Sequence, residues 1–153
     1  MEHWELEARE MVRNTVAAYA HAVDSGRFGE FLDLFAEDGV LEVAGEGTHK
    51  GRNAIHDFVT GVNVDLASAS DVPFIRHFTA NLHIEVDGPD VARARCYFLV
   101  VTGRGVDHWG RYRDRLVRQG DQFLFSHRRV RTDGGVPGSW FVSRGVARRD
   151  PPM

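Results

Sequence analysis

An α+β fold is predicted by the order in which two hydrophobic periodicities follow each other along the chain. Up to about residue 64, apart from a short hairpin signal over residues 40–50, the apolar residues recur at helical spacing, whereas after Pro73 they alternate in long runs typical of strands. The chain has 153 residues, 42% hydrophobic and 27% charged, which suits one globular domain. We therefore expect three N-terminal helices against one face of a bent, mostly antiparallel sheet.

The first two predicted elements are helices. From Glu5 to Asp24 one apolar stripe recurs at helical spacing, and Ser25-Gly26 supplies the stop. A second, short helix is predicted from Phe28 to Phe35, and the residues Glu37-Asp38-Gly39 then form a turn signal.

A short hairpin and a third helix come next. The segments 40–43 and 48–50 read as two strands joined through Gly45-Glu46-Gly47. Helical periodicity returns from Gly51 to Val64.

The second half of the chain predicts a four-stranded meander. Its runs are rich in β-branched and aromatic residues and are separated by Gly-containing turn signals. They extend over Phe74 to Val86, Val91 to Val101, His108 to Arg118 and Phe123 to Arg131.

This pattern divides the chain into a predicted domain over residues 1–133 and a C-terminal extension over residues 134–153. The extension is rich in Gly, Pro and Arg but carries Trp140 and Phe141. We expect it to be partly ordered, folding over the sheet or onto a neighbouring copy before it frays near Asp150.

Charge and cysteine content exclude several classes of protein. The net charge of −3 and pI near 6.2 leave no basic excess for a nucleic acid partner. The single cysteine, Cys96, closes no internal disulfide, which favours a reducing compartment. The acidic start is unlike a signal peptide, and no apolar stretch approaches the roughly 18 residues that span a membrane. We expect a cytoplasmic protein that binds no membrane.

Several motifs carry a family resemblance. They are Tyr19-Ala-His-Ala-Val-Asp24-Ser-Gly-Arg27, Phe31-x-x-Leu-Phe35-x-x-Asp38-Gly39, Arg76-His77-Phe-Thr-Ala-Asn81, Gly110-Arg-Tyr112-Arg-Asp114 and Phe125-Ser-His-Arg128. In type and order they resemble the SnoaL-like members of the NTF2-like superfamily, over residues 8 to 132. The resemblance implies a cone in which a bent sheet wraps around three helices and encloses a deep pocket.

Asp24 and His77 narrow the resemblance to the scytalone dehydratase and hexachlorocyclohexane dehydrochlorinase branch, in which this pair is catalytic. Arg128 stands where the dehydrochlorinase pattern has an arginine, but Tyr19 replaces its lysine. The resemblance implies a cofactor-independent lyase that acts on an apolar cyclic or polyketide-like molecule. It also leaves open a SnoaL-like isomerase or polyketide cyclase, and a non-catalytic binding or assembly subunit.

The side chains of Asp24 and His77 suit acid–base chemistry. Histidine titrates close to neutral pH and can take and return a proton when a partner fixes its tautomer. A carboxylate at the last turn of a helix meets the unfavourable end of the helix dipole, so an imidazolium would stabilise it. The structural alternative is a turn aspartate and an ordinary strand histidine.

Five further residues are candidates for substrate binding. Asn81 shares strand parity with His77, although it could also bridge helix and sheet. His108 is a candidate auxiliary acid or a histidine exposed at a loop end. Arg128 would bind a leaving anion or an enolate oxygen, or pair with Asp114. Tyr19 would assist departure of the leaving group, and Trp140 would line the pocket.

No cofactor and no metal are expected. The Gly103-x-Gly105 pair lies between two strands and not before a helix, where a phosphate loop would be. The eight histidines show no zinc-binding spacing. The expected partners are a small-molecule substrate and further copies of the chain, because family members commonly form trimers or dimers.

Overall fold

The computed structural model describes residues 1–68 and 74–142. Its helices are α1 (His3–Asp24), α2 (Phe28–Asp33) and α3 (Arg52–Ser68). Its strands are β1 (Phe35–Val43), β2 (Gly47–Lys50), β3 (Ile75–Val86), β4 (Val91–Thr102), β5 (Gly105–Gln119) and β6 (Gln122–Gly135). The order of elements confirms the predicted α+β class.

One mixed sheet contains these six strands in the order β2-β1-β6-β5-β4-β3. Strands β3 to β6 form the predicted antiparallel meander. The predicted hairpin pairs β1 with β2, whereas β1 joins the meander by running parallel to β6. A parallel neighbour requires a crossover, and the chain between β1 and β6 supplies it.

The core lies between the helices and the inner face of this sheet. Strand β4 shows the alternation clearly, because the even-numbered residues from Ala92 to Thr102 are buried while their neighbours are more exposed. Helix α1 buries Val12, Val16 and Tyr19 against that face. Cys96 belongs to the same layer, and burial raises the pKa of its thiol to about 11.

The second helix and the turn after it differ from the prediction. Helix α2 ends at Asp33, and Phe35 is the first residue of β1. The residues Glu37-Asp38-Gly39 lie inside this strand, where the pairing with β6 shifts register between Phe35 and Val40. The Gly-containing sequence marks a bulge and not a turn, because pairing with β6 continues on both sides of it.

Four further register shifts interrupt the meander, and two of them reverse the alternation near candidate site residues. In β3 the register shifts between Ala80 and His83, and Asn81 there has φ 56°. In β6 the extra residue is Ser126, because Leu116 pairs with Phe125 and Arg115 with His127. An inserted residue moves all later side chains to the opposite face.

The C-terminal extension begins as a continuation of β6, which runs to Gly135. Trp140 and Phe141 then fold back over the inner face of the sheet. The predicted fraying near Asp150 lies outside the described residues. Within the described part of the chain, no helix is long and apolar enough to cross a membrane.

Candidate active site

A cavity of about 100 Å³ lies between the helices and the inner face of the sheet. Most of its wall is carbon. The lining residues are Tyr19, Val23, Leu41, Val43, Phe58, Val59, Val62, Ile75, His77, Phe98, His108, Tyr112, Val130, Thr132, Trp140 and Phe141. Two imidazoles and two phenols therefore face one small, mostly apolar space.

Asp24 and His77 form a close pair, and His77 of this pair lines the cavity. Nδ1 of His77 lies 2.5 Å from Oδ1 of Asp24, and the backbone N–H of His77 donates to Oδ2 at 2.8 Å. Because a carboxylate only accepts hydrogen bonds, Nδ1 carries a hydrogen, and in the neutral ring Nε2 therefore keeps the lone pair. His77 is thereby held in the tautomer that a general base requires.

The end of helix α1 explains why Asp24 lies there. Asp24 is the last helical residue, and Gly26 leaves the helix with φ 66°, a conformation that glycine adopts without strain. The helix dipole disfavours a carboxylate at this end. The two hydrogen bonds from His77 compensate for that placement.

A second pair, Asp107 and His108, lies across the same cavity. Nδ1 of His108 is 2.8 Å from Oδ2 of Asp107, and the His108 side chain is 6% exposed. Burial is the largest influence and lowers the pKa of His108, although Asp107 opposes it and nearby His77 adds to it. His108 is not the exposed loop histidine that was the alternative interpretation.

Asp107 also holds the C-terminal segment over the cavity. Its carboxylate accepts hydrogen bonds from the Ser139 hydroxyl at 2.7 Å and from the Trp140 backbone N–H at 2.9 Å. These bonds and the one from His108 hold the pKa of Asp107 below its ordinary value despite the opposing effect of burial. Phe141 stacks on the His108 ring at 4.5 Å. We call residues 136–142 the C-terminal strap.

Arg128 lies behind the cavity wall and does not line it. It is fully buried and binds Asp114 through two hydrogen bonds of 2.9 and 2.8 Å. Its guanidinium also lies 4.1 Å from the ring centroids of Tyr19, Tyr112 and Phe125. The ion pair with Asp114 was the structural alternative for Arg128, and it is the arrangement found.

Tyr19 and Tyr112 connect this buried ion pair to the cavity. Burial is the main cause that raises the pKa of both phenols, so each presents a neutral hydroxyl at ordinary pH. The charge of Arg128 acts in the opposite direction on Tyr19. A neutral phenol beside a guanidinium is a hydrogen-bond donor for an oxygen atom in the cavity.

The prediction that Asn81 faces the same side of the strand as His77 is wrong. It is exposed and absent from the cavity lining, because the bulge at this position turns the strand over. Trp140, in contrast, lies on the cavity wall.

Sequence reasoning missed several residues of this site. Asp107 was not among the predicted site residues, and its hydrogen bonds to the strap join residues more than 30 positions apart. Tyr112 could have been found, because it shares strand parity with His108. Thr132 and Phe141 carried no such signal. Among the described residues no cluster of three or more His, Cys, Asp or Glu side chains has an arrangement that would hold a metal ion.

A bent sheet that encloses an apolar cavity with two His–Asp pairs defines a class of small-molecule-binding proteins of the α+β cone type. The sequence profile of the SnoaL-like domain family matches residues 4–129. The chain therefore belongs to the SnoaL-like domain family, within the NTF2-like fold.

Three solved structures illustrate the likeness. A protein from Catenulispora acidiphila is 32% identical, with 86% of this chain and 96% of that chain covered and a TM-score of 0.72. A protein from Novosphingobium aromaticivorans DSM 12444, provisionally described as a scytalone dehydratase, is 21% identical, with 89% and 91% covered and a TM-score of 0.77. A type 2 hexachlorocyclohexane dehydrochlorinase is 18% identical, with 88% and 90% covered and a TM-score of 0.76. No curated protein sequence matches the chain.

Proposed function

We propose that this protein is a cofactor-independent lyase that removes water or another leaving group from a small cyclic carbonyl compound. The observation that carries the proposal is that His77, which lines an apolar cavity, is hydrogen-bonded to Asp24. Nε2 of His77 takes a proton from the carbon next to the carbonyl, and the electron pair of that C–H bond becomes an enolate. The enolate then expels hydroxide, which leaves as water with the proton returned by His77, and an unsaturated ketone remains.

The phenols of Tyr19 and Tyr112 stabilise the enolate oxygen in this proposal. Hydrogen-bond donors fixed in a dry site stabilise charge that develops in the transition state. Arg128 lies behind both rings and makes the developing negative charge less costly without touching the substrate. The lowered pKa of His108 makes this residue neutral, so its Nε2 accepts a hydrogen bond from a substrate hydroxyl and does not serve as the auxiliary acid.

The cavity volume limits the substrate class. An engineered cavity of about 150 Å³ holds benzene, so a site of about 100 Å³ accepts one ring only after a small outward movement of its wall. Trp140 and Phe141 belong to the strap, which is attached mainly through Asp107. A hydroxylated single-ring ketone fits this geometry, whereas a polycyclic polyketide would fit only if the C-terminal strap moved away from the cavity.

Product analysis tests the elimination. Single-ring β-hydroxy ketones are incubated with the protein, and the unsaturated ketone is measured by its ultraviolet absorbance and by NMR. Wild type should form it, and His77→Gln should not, while a Tyr97→Phe control on the outer face should retain activity. Rearranged or cyclised products with no loss of water would favour an isomerase or cyclase. Absence of turnover across the panel, with ligand binding retained, would favour a binding module.

A homo-oligomer is a further part of the proposal. Phe78, Leu99 and Trp109 are cross-strand neighbours on the outer face of the sheet, and the two aromatic residues are 57% and 41% exposed. Exposed apolar rows of this kind commonly mark protein interfaces. We propose that a second copy of this chain covers the row. Sedimentation equilibrium should then show an oligomer for wild type and a monomer for Trp109→Lys; a monomeric wild type would refute this part.

A further inference from the structure

The outer face of the sheet carries a dense group of arginines next to the apolar row. A groove of about 460 Å³ crosses β3 to β6 there. Its cationic residues are Arg93, Arg95, Arg113, Arg115 and Arg129, and we call it the arginine groove. Such density is unexpected in a chain whose net charge is −3.

The strand register places these arginines directly opposite one another. Arg93 pairs with Arg115, Arg95 with Arg113, and Arg113 with Arg129. Like charges at directly opposed positions destabilise a sheet, because their side chains lie only about 5 Å apart. The sheet therefore carries three repulsive pairs on one face, and a bound anion would convert this repulsion into attraction.

Acidic residues neutralise the margins of the groove but not its centre. Arg93 pairs with Asp87 at 2.6 Å and Arg95 with Glu85 at 3.5 Å, while Arg129 pairs with Glu42 at 3.0 Å. Arg113 and Arg115 on the central strand β5 are exposed and make no ion pair with any described residue. The available positive charge thus lies along the middle of the groove.

We propose that the arginine groove is a binding site for a multivalent phosphate, on the opposite face of the sheet from the cavity. Guanidinium groups bind phosphate oxygens in a two-pronged geometry, which favours phosphate over a simple point charge. Arginines spaced about 5 Å across strands and about 7 Å along a strand form a grid that one phosphate cannot satisfy. A short chain of phosphates reaches both central arginines and one marginal arginine together.

The second copy that we propose on the apolar row is a poor occupant of the arginine groove itself. A two-fold contact brings the same patch of each subunit together, so it would set one group of arginines against another. A linear anion meets no such repulsion. This site is independent of the proposed lyase reaction.

Calorimetric titration with inorganic tripolyphosphate tests the site. Wild type should bind it saturably, and the double variant Arg113→Gln/Arg115→Gln should bind at least about tenfold more weakly. The matched control Arg27→Gln/Lys50→Gln removes the same charge from exposed positions away from the groove and should bind like wild type. Sodium chloride at equal ionic strength must not reproduce the heat or the thermal shift that tripolyphosphate causes.

Stability measured without phosphate separates binding from structure. The double variant should be at least as stable as wild type to urea, because it removes repulsive pairs. Equal binding by wild type and the double variant would overturn the proposal. Equal weakening by the control pair would do so too, since it would show only a response to overall charge.

Discussion

Asp24 binds His77 through both of its carboxylate oxygens, one to the ring Nδ1 and one to the backbone N–H. These bonds join the end of helix α1 to strand β3 at the cavity wall. The ring orientation and the strand position are thus fixed by the same side chain. We expect Asp24 to act as a positioning residue whose effect on chemistry exceeds its effect on folding.

Asp24→Asn tests this positioning role. An amide that turns its NH₂ group toward Nδ1 favours the wrong imidazole tautomer, so kcat should fall by about 100-fold or more, with KM changed far less. Steady-state kinetics are measured with a β-hydroxy ketone that the wild-type protein converts, and the stability of both proteins is measured by urea unfolding. A fall in stability that accounts for the lost activity would instead make Asp24 a purely structural residue.

Removing one member of the Arg128–Asp114 pair should destabilise the fold strongly. Both side chains are fully buried, so Arg128→Leu leaves an unpaired carboxylate in the core and should lower the free energy of unfolding by about 3–5 kcal/mol. The double variant Arg128→Leu/Asp114→Leu should recover much of that loss. Urea denaturation of the three proteins measures both quantities. A double variant no more stable than the single one would contradict this reading.

His108 should make stability depend on pH. Its pKa is lower in the folded protein than the ordinary value of 6.5, so the unfolded chain binds more protons below that pH. The stabilisation is fully present above about pH 6.5 and is lost as the pH falls toward the folded pKa. Urea unfolding between about pH 7.5 and 5.5 should show a smaller decline for His108→Gln than for wild type. Parallel declines would mean that other groups cause the change.

Gly110 should tolerate no side chain. A Cβ atom there would overlap the backbone oxygen of Arg131 and approach Phe98 Cζ to 2.7 Å. Gly110→Ala should therefore lower the free energy of unfolding by about 3 kcal/mol. Gly61→Ala in helix α3 is the control, because its Cβ meets nothing within 4 Å and alanine favours a helix by about 1 kcal/mol. Equal effects of the two substitutions would rule out this steric argument.

The sequence predicted the elements of this fold better than the directions of its side chains. Helices and the meander follow from periodicity, which is a local property. The bulges at Asn81 and Ser126 arise from pairing with neighbouring strands. Because of them, Asn81 points away from the cavity and Arg128 points inward, as Phe125 does. Alternation counted along one strand does not detect an inserted residue.

The Asp24–His77 pair of the candidate site was predictable, because the family resemblance joined these two residues. The contacts of the C-terminal strap, where the chain folds back over the sheet, were not predictable. Asp24 and His77 lie 53 residues apart, and only the resemblance joined them before the structure did. The attachment of the strap to Asp107 combines one hydroxyl, backbone N–H groups and a stacked ring. Backbone donors have no signature in a sequence, so this contact required the structure.

Exchange of a substrate proton with solvent tests the central claim most directly. A single-ring ketone is incubated with the protein in deuterated buffer, and deuterium at the carbon next to the carbonyl is followed by NMR, whether or not a leaving group departs. The account predicts incorporation by wild type that is lost in His77→Gln and strongly reduced in Asp24→Asn. Equal incorporation by wild type and His77→Gln, or none by wild type with a ketone shown to occupy the cavity, would contradict it.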